Sequence, residues 1–158
     1  MKTLLVVLTI LLASEGCKKN SNPANPNHDP MLSTSQVIDG VRYTLSVTDL
    51  SFGTSDTLDA VFAVTNQAAT TRTFSFGNLQ QFHWSFCKDT SSVVMYQPHI
   101  LLPALSGFTL NPGETKTYAI HQAIRDENGA TVVPGSYVIF AGLLHPNSAL
   151  LTLSVVLH

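Results

Sequence analysis

The chain has 158 residues, 44% of them hydrophobic, and carries a net charge of −2. That length suffices for one domain with a sizeable core. Only 11% of residues are charged, well below the usual quarter, and no Lys/Arg cluster exists beyond Lys18-Lys19, which excludes the basic face that nucleic-acid binding needs.

The N-terminus comes first in chain order. Lys2 supplies a positive charge, and residues 4–13 form an apolar run. The run is too short for a permanent span, which takes roughly 20 apolar residues. Small residues then lead to Cys17. The pattern resembles a bacterial lipoprotein signal, with residues 1–16 as signal peptide and Cys17 as the acylated new N-terminus. Gly16 fits that pattern, while Ser14 and Glu15 are looser. An ordinary cleaved secretory signal with Cys17 left free is the alternative. The lipoprotein reading implies a lipid anchor in the bacterial cell envelope, at the outer membrane or facing the periplasm. Residues 17–36 then read as anchor and tether, because Pro23, Pro26 and Pro30 interrupt regular structure and Asn and Ser solvate the rest. At about 3 Å per residue the tether reaches about 50 Å. After processing, Cys87 is the one remaining cysteine besides Cys17, so no intradomain disulfide can form.

From Val37 onward the pattern alternates, and residues 37–158 read as one β-domain. Val41, Tyr43, Leu45 and Val47 share one face, with Arg42, Thr44, Ser46 and Thr48 on the other, the signature of a half-buried strand. Leu58, Ala60, Phe62 and Val64 repeat it and end at Asn66. Further strands are predicted at 73–76, at 82–87 with Phe82, Trp84 and Phe86 on the core face, at 93–96, around Phe108 and Leu110, and from Thr115 to Ile120. Residues 137–144 are apolar on both faces and predict a central strand. Residues 150–157 close the series. Turn signals separate the runs at Ser51-Phe52-Gly53-Thr54, Asn111-Pro112-Gly113-Glu114, Glu127-Asn128-Gly129 and Pro134-Gly135-Ser136. Eight or nine strands at this spacing predict an all-β, antiparallel, immunoglobulin-like sandwich. A closed barrel is the alternative.

One series of features has a family look: Phe62-Ala-Val-Thr-Asn66, Phe74-Ser-Phe-Gly-Asn78, Phe82-His-Trp-Ser-Phe-Cys-Lys-Asp89, Leu110-Asn-Pro-Gly-Glu114 with Tyr118, and Asn128-Gly129 with Val133-Pro-Gly-Ser-Tyr137. It resembles the BsuPI family, named for an intracellular proteinase inhibitor, over residues 41–144. The two Pro-Gly turns are its most specific part. The chain departs from the family at Val93-Val-Met-Tyr96, where tryptophan is common, and near His121. The resemblance implies the sandwich and a non-catalytic binding role. The implied partner is a protein, a serine protease among the candidates, blocked by steric occlusion. A structural or assembly lipoprotein that binds an envelope protein without inhibition is the alternative.

The candidate chemistry points the same way. No nucleophile elbow, His-Glu-x-x-His helix, P-loop or EF-hand loop occurs, so neither an enzyme nor a cofactor is expected. Asp126-Glu127 beside Asn128-Gly129 reads as a solvated hairpin turn. His83 and Cys87 would share a strand face about 13 Å apart, too far for one ion, and no metal site is expected. Cys87 reads as an inert thiol. Pro98, Ile100, Leu101, Leu102 and Pro103 form a proline-stiffened apolar stretch, which loses little entropy on docking. It is the candidate partner-binding loop. The bland reading is that Ile100, Leu101 and Leu102 plug one end of the core. The competing loops are 51–56 and 125–131.

Overall fold

The computed structural model of the chain describes residues 32–88, 92–96 and 103–158. Cys17, Pro98, Ile100, Leu101 and Leu102 lie outside them. The described residues are all-β. They form β1 (Leu32–Ile38), β2 (Val41–Val47), β3 (Ser51–Phe52), β4 (Thr57–Asn66), β5 (Arg72–Phe76), β6 (Phe82–Lys88), β7 (Ser92–Tyr96), β8 (Ser106–Leu110), β9 (Thr115–Ala123), β10 (Gly135–Leu143) and β11 (Leu150–Leu157).

These strands make three sheets. One has the order β1-β2-β4-β9, a second β3-β11-β10-β6-β7, and a small third pairs β5 with β8. All pairings are antiparallel except β3 with β11. The inward side chains of the two large sheets join in one core, sandwich-fashion. Phe62 of β4 stacks on Phe82 of β6 with centroids 5.2 Å apart, and Phe82 stacks on Tyr118 of β9 at 4.9 Å. Strict alternation in β4 buries Leu58, Ala60, Phe62, Val64 and Asn66, as a strand with one face in a core requires. β10 is the middle strand of its sheet, in keeping with its apolar character on both faces. Phe82, Trp84 and Phe86 are buried, so the aromatic run is core.

Two boundaries differ from the sequence reading. The tether was expected to run to residue 36, yet β1 begins at Leu32. Its hydrophobic pattern is weak because it is an edge strand, exposed along most of its length. It is joined to β2 through Asp39 (φ 50°) and Gly40 (φ 76°), and positive φ at both central residues is what a two-residue type I′ hairpin demands. The sequence places Ser51 and Phe52 in a turn. They pair instead with Val156 and Leu157 of β11, and the turn itself is 53–56.

Of the two Pro-Gly signals, the first is a turn of the expected kind. The Glu114 N–H donates to the Asn111 carbonyl at 3.0 Å, and Gly113 has φ 79°, which fits the third position of a type II turn. The second is different. Gly135 (φ 151°) is the first residue of β10, paired with Leu157, and the bend before it is held by the Tyr137 hydroxyl, which donates to the Val133 carbonyl at 2.7 Å.

Candidate functional site

The paired sheets have two ends of different character. At one end stand Asn66, the Asn111–Glu114 turn and the β5-β8 pair. Asn66 is fully buried. Its Nδ2 donates to the carbonyls of Thr70 (2.8 Å) and Leu110 (2.9 Å), and its Oδ1 accepts from the Ala68 N–H at 3.0 Å. Its backbone exchanges bonds with the turn: Asn66 N–H to the Glu114 carbonyl, Gly113 N–H to the Asn66 carbonyl. The Glu114 carboxylate accepts from the Asn111 N–H at 2.8 Å. Phe74 and Phe76 stack on Phe108, and Lys116 Nζ lies 4.9 Å from the Phe108 ring centre. Residues that carry the family resemblance, Asn66, Gly113 and Glu114, therefore hold the framework.

At the other end, three segments meet. The Gly53 N–H donates to the Asp56 carboxylate, and the Asp56 N–H to the Gly53 carbonyl. The Thr54 N–H donates to the His158 carbonyl. Arg125 reaches across, its Nη1 donating to the carbonyls of Thr54 (3.1 Å) and Ile124 (2.9 Å). The hairpin beyond it is closed by an Arg125–Thr131 bridge, and Asp126 Oδ1 accepts from the N–H groups of Asn128 and Ala130. The expected solvated turn is thus built by Asp126. Loops 51–56 and 125–131, the competing candidates, are tied to one another through Arg125 and Thr54.

Beside this end lies a cleft of about 310 Å³ lined by Trp84, Val94, Met95, Gln122, Arg125, Asp126 and Glu127. Its base is apolar: Trp84 is only 7% exposed, and Met95 Sδ accepts from the Arg125 N–H at 3.3 Å. Its rim holds two carboxylates and one guanidinium. Nothing in the sequence marks Gln122 or Arg125 as neighbours of Trp84. Trp84 stands on β6 and Gln122 on β9, strands of different sheets, Arg125 follows the end of β9, and only folding brings them together.

The other sequence-predicted residues fall as follows. Pro103 is exposed, and Leu105 two residues on is 89% exposed, leading into β8. Cys87 is buried, its thiol 3.7 Å from the Ser85 hydroxyl. Among the described residues no group of three His, Cys, Asp or Glu side chains could hold a metal. His121 pairs with Asp59 on the exposed face of β4 and β9. Burial raises the Tyr118 phenol well above its ordinary value, and its hydroxyl donates to Gln81 Oε1 at 3.1 Å. No described helix is long and apolar enough to cross a membrane.

No protein-family model matches the chain, and no curated protein does. Several solved structures are similar to it. A β-glucosidase from Erythrobacter marinus matches at 17% identity and a TM-score of 0.47, over 81% of this chain and 16% of that one. A β-glucosidase from Listeria innocua matches at 12% and 0.42, again over 81% and 16%. An alkylpurine DNA glycosylase of Pseudomonas fluorescens bound to DNA matches at 16% and 0.43, over 71% and 28%. The chain spans less than a third of each of these proteins, and likenesses this distant assign it no activity.

Proposed function

We propose that this chain is a lipid-anchored, extracytoplasmic binding module on an immunoglobulin-like sandwich, with no catalytic role. The order β2-β4-β9 corresponds to strands A, B and E of that fold, and β11-β10-β6-β7 to G, F, C and C′. Two side chains support the correspondence. Tyr137, near the start of β10, bonds back to the Val133 carbonyl as a tyrosine corner does. Trp84 stands buried on β6, where the fold places its core tryptophan.

The observation that carries the binding role is the cross-bonded loop end beside the cleft. A surface already ordered by its own hydrogen bonds loses little entropy when a partner docks. The lipid on Cys17 would hold this surface in the envelope, since two or more acyl chains anchor stably where one is marginal. Mass spectrometry of the native N-terminus should find acyl chains on Cys17, and an unmodified cysteine there would end the anchoring proposal.

Proteinase inhibition is the specific form that the BsuPI resemblance suggests, with Pro98, Ile100, Leu101, Leu102 and Pro103 as the segment that enters a serine protease cleft. Titration against subtilisin-like proteases should give stoichiometric loss of activity. Replacing Ile100-Leu101-Leu102 with Ser-Gly-Ser should abolish that loss and leave the melting transition in place. Plain digestion of the domain would refute inhibition. A second reading, an assembly lipoprotein that binds an envelope protein, is favoured by β9, which pairs only with β4 among the described residues.

A further inference from the structure

The edges of β9 and β7 flank the cleft. Among the described residues β9 pairs only with β4, and β7 only with β6. Gln122 lines the cleft from β9, Val94 and Met95 line it from β7, and Trp84 lies at its base. A strand added to β9 would extend the β1-β2-β4-β9 sheet over this opening. Side chains alternate along such a strand. On β9, Ile120 and Gln122 lie opposite the buried Ala60 and Leu58, so both belong to the core-facing row. The residue beside Gln122 on an added strand would share that row and enter the cleft.

We propose that β9 and the cleft bind an extended peptide segment of a protein partner, which adds to the sheet edge and seats one Lys or Arg side chain in the cleft. A volume of about 310 Å³ is at the small end of ligand pockets and suits a single side chain. The Trp84, Val94 and Met95 base suits the aliphatic stem of a basic residue, which buries its methylenes and keeps its charge in water. The rim decides the sign. Arg125 is turned to the Thr54 and Ile124 carbonyls. The carboxylates of Asp126 and Glu127 have no ion-pair partner among the described residues, and Glu127 is exposed. Backbone bonding to the edge would give affinity and the cleft specificity, as in other strand-addition complexes. The proposal rests on the binding-module reading but not on proteinase inhibition.

Trp84 is the one tryptophan of the chain, so its emission reports the cleft directly. The probe is a short capped peptide of alternating Val and Thr with one central Lys, titrated into the full chain in detergent. A saturable shift of Trp84 emission is expected. The same peptide with Glu for Lys should bind about tenfold more weakly or less, and Glu127→Gln should weaken the Lys peptide about three- to fivefold, the scale of an exposed charge pair. A peptide N-methylated at the amides that would face β9 should lose binding. No emission change at millimolar peptide, or equal binding of the Lys and Glu peptides, overturns the proposal. Undiminished binding of the N-methylated peptide overturns the strand addition. Protease titration is read separately, so failed inhibition leaves this result standing.

Discussion

The two ends of the sheets use hydrogen bonds for different purposes. Around Asn66 they are buried: one amide ties the end of β4 to β8, to the 66–70 bend and to the Asn111–Glu114 turn. Around Arg125 they are nearer the surface and join loops, 53–56 to 125–131 and to the C-terminal residue. Losing a buried partner exposes the full desolvation cost of what is left, whereas water can replace a partner at the surface. The Asn66 end should therefore govern stability, and the Arg125 end should govern recognition with little effect on folding.

Mutation can break or sharpen that contrast. Asn66→Ala removes the partners of the Thr70 and Leu110 carbonyls and of the Ala68 N–H. It should cost about 2–4 kcal/mol in denaturant melts, a large share of the roughly 5–15 kcal/mol typical of a domain. A loss below about 1 kcal/mol would refute the central place given to Asn66.

Gly113→Ala and Gly135→Ala should each cost about 1 kcal/mol or more, because a Cβ is disfavoured at their positive φ. Unchanged melting in both variants would contradict those conformations. Tyr137→Phe keeps the ring that stacks on Phe86, 4.8 Å away, and removes the hydroxyl that donates to the Val133 carbonyl. A drop of about 1 kcal/mol is expected, and an unaltered midpoint would remove the tyrosine corner as support for the immunoglobulin-like reading.

At the other end the expected stability effects are smaller. Arg125→Met should lower stability by about 0.5–1.5 kcal/mol and loosen loop 51–56, seen as faster amide exchange at Thr54. Glu127→Gln should leave stability within about 0.5 kcal/mol while weakening the Lys peptide. If Glu127→Gln destabilised the chain as much as Asn66→Ala, the division between the two ends would fail.

Local pattern made much of this fold legible. The alternation in residues 41–48 and 58–66 appears as β2 and β4, and the apolar run at 137–144 appears as the central β10, because a strand's period of two is imposed by its own backbone geometry. β1 is poorly marked in the sequence although Asp39-Gly40 between Val37-Ile38 and Val41 is a strong hairpin signal. Its polar residues, Ser33 through Gln36, continue the composition of the tether. β3 is invisible to local pattern because two residues carry no period, and its partner β11 lies far along the chain.

The sequence by itself determined the all-β class, the core face of most strands, the Pro-Gly turn at Gly113 and the solvated turn at Asp126, since each depends on neighbours a few residues apart. Only the tertiary structure decided that Asn66 is the buried tie of one end, that loops 51–56 and 125–131 join at the other, and that Trp84, Met95, Gln122 and Glu127 surround one cleft. Those arrangements depend on which strands pair and how the sheets stack. Such long-range pairings are selected by burial of the whole core, and no local pattern encodes them.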